Sequence, residues 1–336
     1  MAHCDGRSCP MTTRALIVGC GDIGSRHLQA VAALPEISEI EVVDPRPEAI
    51  DVAKARLAEV PQGSKRSVRW LSRVEDARPD GAICIVATQA KDRVSLMAQL
   101  AESLSYQAFL VEKIVAQSTT EYEQLLNLQR QRGLSIWVNC KTRAYPFHLR
   151  AREYFPADEP IQFSVFGGNH GLASNGLHSV DLFVFYDRCD FLTPAHISVD
   201  DVLHESKRGG DVYDLSGTLV ARSNKGSTMH LSFAPDHVAP PSYMVASSRF
   251  RFLLDQWDRL AFTSASTDWE WHAVDFSDDL LISTMSKQFV AQIVKESRCD
   301  LPTLSECRAA HTFLLDELLP HFRRLTGRPL DRCPVT

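Results

Sequence analysis

Residues 15–34 read ALIVGCGDIGSRHLQAVAAL, and the organisation of the chain follows from this stretch. A short aliphatic run, Leu16 to Val18, enters a glycine-rich turn. Apolar residues then recur at Ile23, Leu28, Val31 and Leu34, the spacing of one helix face. The turn, Gly19-Cys20-Gly21-Asp22-Ile23-Gly24, is a GxGxxG. Such a triplet is weak in isolation, but here it follows a buried strand and opens a helix, the context that dinucleotide binding requires. Gly19 permits the tight turn, Gly21 lets the backbone approach a pyrophosphate, and Gly24 allows close helix–sheet packing. The N–H groups at the helix start, around Asp22 and Ile23, then face the anion. The alternative is a structural glycine turn that holds no nucleotide.

Working outward, the run Ile40 to Val43 ends in Asp44, 20 residues after Gly24. A carboxylate there accepts hydrogen bonds from an adenosine ribose and repels a 2′-phosphate, which favours NAD. Arg46, two residues on, keeps NADP open. The segment EAIDVAKARLAEV has helical period, AICIVA (82–87) is a continuous apolar strand, and VSLMAQLAESL is again helical. The strand AFLVE at 108–112, a helix around TTEYEQLLNLQRQRG and the strand LSIWVN follow. Uninterrupted apolar strands alternating with helices predict a parallel, doubly wound Rossmann sheet buried on both faces.

After Asn139 the texture changes. IQFSVFGG, HISVDDVLHE, GTLVARS, STMHLSFA and RFRFLLDQ are short, often alternating, and separated by Gly, Pro and Asn. They predict an open, mostly antiparallel sheet with one face solvated or used as an interface. Helices return from Asp279 to Glu296 and from Thr303 to Leu325, the latter opened by a Thr303/Glu306 capping box. The expected division is a start-site extension or disordered arm over residues 1–12, a dinucleotide-binding unit over 13–140 and a substrate and assembly unit over 141–336.

Composition agrees with this and excludes other classes. The 336 residues exceed what one core usually holds, and 44% hydrophobic with 23% charged is ordinary for a globular protein. No run of 18 apolar residues occurs, so no membrane helix is expected. Thirty-six Lys and Arg against 42 Asp and Glu give a net charge of −6, with no basic excess for a nucleic-acid partner. Nine cysteines without a CxxC pair, and no signal-peptide core in MAHCDGRSCP, predict buried thiols and a cytoplasmic protein. His3, Cys4 and Cys9 read as part of a floppy terminus.

Three further groups carry chemistry. Glu112-Lys113 ends a parallel strand, and the carboxyl ends of such strands face the cofactor crevice. A lysine there can exchange a proton with a substrate hydroxyl or ketone; the alternative is a solvated lysine paired with Glu112. Thr88-Gln89, at the end of AICIVA, lines the same crevice. In NHGLASNGLHSVDLF (169–183), His178 and Asp181 lie three apart on one helix face, suited to proton transfer or to satisfying each other in the interior. No metal site is expected, because no further ligands stand at a recognisable spacing. Arg143, Tyr145 and Arg150 in KTRAYPFHLR are candidates to clamp a phosphate or carboxylate, with ordinary surface arginines as the alternative. His311, inside a helix, reads as a packed histidine, and FLLDQWDRLAF as core or interface.

With GCGDIG at 19–24, VVD at 42–44, EK at 112–113 and the Gly-x-His-x-x-Asp of 176–181 in order, the chain resembles the glucose–fructose oxidoreductase, inositol dehydrogenase and rhizopine-catabolism family, Gfo/Idh/MocA. The resemblance runs from Ala15 to about Leu325, and GGNHGLASNGLHSVDLF looks most like a surface-glycan or nucleotide-sugar subgroup. It implies a Rossmann unit followed by an α/β unit whose open sheet commonly packs on another subunit, giving a homodimer or homotetramer. It also implies hydride transfer between NAD or NADP and a carbon of a sugar, cyclitol or nucleotide sugar. Lys113 and His178 would relay the hydroxyl proton, Asp181 would orient His178 and Asn175 would position an oxygen. Two positions depart from the family pattern. Ile114 replaces the proline that usually shapes the lysine turn, and Ser174 replaces the aspartate usually four residues before the histidine. Those departures leave room for a non-catalytic sugar- and NAD-binding regulator. An enzyme holding NAD tightly for elimination or sugar–sugar redox exchange is also compatible with the sequence.

Overall fold

The apolar runs of the first 140 residues become six short strands: β1 (Arg14–Val18), β2 (Glu39–Val43), β3 (Ser67–Leu71), β4 (Ile83–Val86), β5 (Ala108–Val111) and β6 (Ser135–Val138). In this computed structural model, which describes residues 13–61, 67–206, 209, 211–236, 238–276 and 281–336, all six pair in parallel in the order β3-β2-β1-β4-β5-β6. The expectations for residues 1–12, and for a helix start at Asp279, fall outside the described residues. Ile17, Ile85 and Leu110 are fully buried because helices cover both faces. These are α1 (Asp22–Ala32), α2 (Pro47–Ala58), α3 (Arg93–Ser103) and α4 (Thr119–Arg132). Local chemistry sets the ends of α4: the Glu121 N–H donates to Ser118 Oγ, and Gly133 stops the helix at φ 66°. Strand β3 is absent from the expected elements because SVRWL is a half-exposed edge strand with a charged residue in its middle.

Beyond a 3-10 turn (Lys141–Ala144) come α5 (Pro146–Arg152), β7 (Gln162–Gly167), α6 (Gly176–Asp187), β8 (Leu192–Val199), β9 (His204–Glu205) and β10 (Tyr213–Asp214). Then follow β11 (Gly217–Ser223), β12 (Thr228–Phe233), β13 (Ser242–Ala246), β14 (Phe250–Asp255), β15 (Leu260–Ala265) and β16 (His272–Val274). Eight of these strands make one sheet, β16-β15-β14-β13-β7-β12-β11-β8, antiparallel except where β7 meets β12; β9 and β10 pair separately. The expected strand HISVDDVLHE is therefore two elements, β8 and β9. Alternation places Phe163, Val165, Leu231 and Phe252 in the core and leaves Met244, Leu253 and Phe262 on the outer face.

The last two helices, α7 (Ile282–Glu296) and α8 (Arg308–Thr326), do not extend the second unit alone. α7 packs on α1, and α8 lies against both α4 and α6. The reciprocal Thr303–Glu306 bonds form at 2.7 and 3.3 Å, but they close a turn ahead of α8, which begins five residues later than expected. The chain then returns to the first unit. Cys333 N donates to Gln117 O, Gln117 Nε2 to Val335 O and Ala90 N to Thr336 Oγ1, each at 2.8 Å.

His148 and His311 are sealed inside these layers. His148 lies between Tyr186 Oη (2.7 Å) and Gln256 Nε2 (3.1 Å), and burial pushes it down to about 3. His311 bonds Cys307 O through Nδ1 and receives the Val115 N–H on Nε2; burial pushes it down to about 4. Below the ordinary histidine value the unfolded chain binds protons that the fold refuses, so stability falls as pH drops from 7 toward 4. The His311 shift alone corresponds to roughly 3 kcal/mol at the acid end. Thermal denaturation across that range is expected to show the decline, and His311→Gln to flatten it; an equal slope in the variant would contradict the assignment.

Candidate active site

The glycine turn obeys two steric limits and leaves one opening. Gly19 has φ 85°, and a Cβ on it would lie 2.9 Å from Thr88 N. A Cβ on Gly24 would lie 1.9 Å from Gly19 O, so helix and turn approach closely only without a side chain there. A Cβ on Gly21 would meet nothing nearer than Arg46 Nη2 at 3.5 Å. The chain's own packing therefore does not demand glycine at 21, and the space stands open at a helix start that no side chain caps. An uncapped N-terminus beside an open glycine fits a pyrophosphate.

Asp44, at the rim of this cradle, is 1% exposed. It accepts the Cys20 N–H at 2.9 Å and three donors of Arg46: N at 3.0, Nε at 3.1 and Nη2 at 3.0 Å. Burial would raise its pKa, but the Arg46 side chain and the Cys20 and Arg46 amides hold the carboxylate below its ordinary value. Asp22 pairs with Arg56 at the outer edge.

Thr88 and Gln89 follow β4 at the crevice, and Thr88 Oγ1 is buried without a hydrogen-bond partner among the described residues. Glu112 and Lys113 follow β5, with a cis Lys113–Ile114 peptide between the lysine and Ile114. The Glu112 carboxylate turns inward, to His27 Nε2 at 2.8 Å and Asn139 Nδ2 at 2.5 Å. Burial opposes its charge, yet these bonds keep its pKa below the ordinary value. Direct contact of Glu112 with a cofactor, one of the expectations above, is thus replaced by an internal role. Lys113 Nζ instead crosses to the second unit and donates to Ser174 O at 3.1 Å.

That carbonyl belongs to a tightly anchored turn. Asp214, on β10, accepts from Ala173 N at 2.8 Å, from Ser174 N at 3.3 Å and from Ser174 Oγ. The carboxylate missing at position 174 is therefore present beside it, supplied from a two-residue strand that no periodicity reveals. Gly171, at φ 89°, makes room: a Cβ on it would strike Asp214 Oδ2 at 2.4 Å. Asn175 Nδ2 donates to His170 O at 2.7 Å, so this amide braces the turn. His178 is the one residue of α6 that is not buried; it is half-buried, and its Nδ1 has no partner among the described residues. Burial, reinforced by Lys113, Lys141 and His170, drives its pKa well below the ordinary value and leaves a neutral imidazole.

Three expectations need correction. Asp181 does not orient His178 directly. Its oxygens take Arg143 Nε at 2.8 Å, Arg143 Nη2 at 2.5 Å and the Cys307 thiol at 3.5 Å. Arg143 is consequently no substrate clamp: it is 4% exposed, because a buried carboxylate outcompetes solvent for a guanidinium. Tyr145 is equally buried, beneath the Lys141 ammonium at 5.8 Å. Cys140, Asp181 and Cys307 bring potential ligand atoms within 4.8 Å of one another, but Arg143 already holds that carboxylate.

The six-stranded parallel sheet and the eight-stranded, mostly antiparallel sheet define a Rossmann-like α/β fold with a second, open-sheet unit. No family model matches the chain, and no curated protein is similar enough in sequence to match it. Solved structures do match. A UDP-N-acetylglucosamine 3-dehydrogenase from Acidithiobacillus ferrooxidans aligns with a TM-score of 0.69 at 14% identity, over 90% of this chain and 95% of that one. A Gfo/Idh/MocA family oxidoreductase from Vibrio cholerae aligns with 0.67 at 15%, over 94% and 100%. A 3-ketoreductase from Actinomadura kijaniata, in complex with NADP, aligns with 0.66 at 17%, over 90% and 95%. The chain has the fold of these proteins.

The glycine geometry separates folding from binding. Gly24→Ala is expected to destabilise the protein by about 1–3 kcal/mol through the clash with Gly19. Gly21→Ala is expected to fold normally and to lose affinity for NADH, read by its fluorescence. A Gly21→Ala protein that binds NADH like the wild type would remove Gly21 from the cofactor site.

Proposed function

We propose that the protein is an NAD(P)-dependent oxidoreductase that moves a hydride between a nicotinamide and a carbinol carbon of a sugar, cyclitol or nucleotide-linked sugar. Residues 13–140 hold the cofactor, and residues from 141 onward supply the substrate wall. One observation carries the reading: Lys113, at the carboxyl edge of the parallel sheet, reaches Ser174 O of the second unit, beside the α6 segment that presents His178. A proton-carrying amine and a neutral imidazole thus border the crevice that the glycine cradle opens into. The fold shared with a UDP-sugar dehydrogenase and a 3-ketoreductase supports the substrate class. The Asp44 carboxylate favours NAD, and Arg46 on the same rim offers a cation to a 2′-phosphate.

The glycine turn would hold the dinucleotide, whose nicotinamide would supply the hydride acceptor or donor. In the oxidative direction the substrate O–H breaks, its proton passes to Lys113 Nζ in its unprotonated amine form, the O–H electron pair forms the carbonyl, and the C–H pair leaves as hydride. The Ser174 carbonyl takes one N–H of Lys113 and so aims the amine. His178, kept neutral by burial, hydrogen-bonds the same substrate oxygen, and Asp214 and Asn175 keep the 171–175 turn in place. With NAD and UDP-N-acetylglucosamine as the first substrate pair, followed by a panel of nucleotide sugars and cyclitols, absorbance of the reduced cofactor reads turnover. Lys113→Ala is expected to lower kcat by about 10²–10⁴-fold. Full turnover in that variant would overturn the assignment.

The outer face of the large sheet supports a homodimer or homotetramer. Met244, Leu253 and Phe262 stand directly opposite one another across β13, β14 and β15, and Phe166 and Leu260 are exposed nearby. An apolar row of this kind on a flat sheet is suited to covering by a second copy. The described cysteines are all free and mostly buried, which fits a reducing cytoplasm. Leu253→Arg is expected to convert the assembly to monomers in light scattering; an unchanged mass would place the contact elsewhere.

A further inference from the structure

Arg93 opens α3 and is 1% exposed, among the largest fully buried side chains of the protein. A guanidinium taken out of water must find acceptors, and those of Arg93 are backbone carbonyls at the crevice. Nη1 donates to Glu112 O at 2.7 Å and to Ile114 O, and Nη2 donates to Thr88 O. Glu112 O and Ile114 O stand on either side of Lys113. Thr88 belongs to the loop after β4, whose amide packs against Gly19. One planar group therefore ties the lysine turn to the loop under the glycine cradle. His311 approaches the same turn through the Val115 N–H. A rigid fork with several donors can bridge carbonyls on two chain segments, which the single ammonium of a lysine does less well.

We propose that Arg93 is a positioning residue for Lys113. It fixes the carbonyls flanking the lysine to the Thr88 loop and so sets the direction in which Nζ leaves the first unit toward Ser174 O. The proposal rests on the reading of Lys113 as the proton-carrying group. It differs from a purely structural role in a testable way: loosening the bracket should alter Lys113 itself, and not only the melting temperature.

The test uses the full chain with Arg93→Lys and Arg93→Gln. Reductive methylation with formaldehyde and cyanoborohydride, read by peptide mass spectrometry, compares labelling of Lys113 with that of exposed Lys287 in the same sample. In folded variants Lys113 labelling relative to Lys287 is expected to change several-fold. With the substrate pair that the wild type accepts, kcat is expected to fall about tenfold or more while KM stays within about threefold, the mark of a misaimed group. Folded variants with wild-type labelling and kcat would overturn the proposal. So would failure of both variants to fold, since Arg93 would then be a stability residue alone. Labelling does not depend on turnover. A wild type that oxidises no sugar sinks the proposed function, and the labelling comparison still decides the role of Arg93.

Discussion

Arg143 leaves the turn after β6, Asp181 lies in the middle of α6, and Cys307 stands just ahead of α8; their side chains meet out of contact with solvent. Burial alone would lower the Arg143 pKa, but the Asp181 carboxylate more than reverses this and holds the guanidinium charged. A buried charge that loses its partner costs about 3–5 kcal/mol, so the three segments can pack only in the arrangement that brings the pair together. That requirement joins the end of the parallel sheet, the central helix of the second unit and the final helix. It also sets the rotation of α6. His178, one turn earlier on the same face, is the one half-buried residue of an otherwise buried helix, so anchoring Asp181 also holds the segment that carries it. The aspartate thus governs the histidine through the helix backbone, without touching its ring.

The site assembled around this seam draws on both units. Lys113 comes from the first, Ser174 and His178 from the second, and the anchoring carboxylate of Asp214 from the small β9–β10 pair. The last residues of the chain return to bond Gln117 and Ala90, close to the lysine turn and to the loop after β4. The geometry of this cluster therefore depends on elements far apart in sequence. Glu112, next to Lys113, is held by His27 and Asn139 and stiffens the strand end.

Much of the fold was legible because its determinants are local. Apolar runs, the GxGxxG and the alternation of β11 and β12 each depend on neighbours within a few residues, and the structure matches them closely. The edge strand β3 escaped because an exposed strand needs no apolar run. The α8 start was misplaced because a capping box reports a turn, whether or not a helix continues from it. The position of Lys113 just beyond β5 was legible from the strand pattern. Asp214 and the true partner of Asp181 were not, since no pattern in the sequence names the partner of a carboxylate.

By itself the sequence determined a parallel, doubly wound sheet followed by an open, mostly antiparallel one, and set Lys113 at a strand end and His178 on a helix of the second unit. Strand period, helix period and glycine stereochemistry act over one element and survive without tertiary context. Tertiary structure alone decided which polar groups pair. Lys113 meets Ser174 across 61 residues, Ser174 meets Asp214 across 40, and Arg143 takes Asp181 across 38. Burial makes each such group find a partner, and only the folded chain determines which partner is near enough to serve.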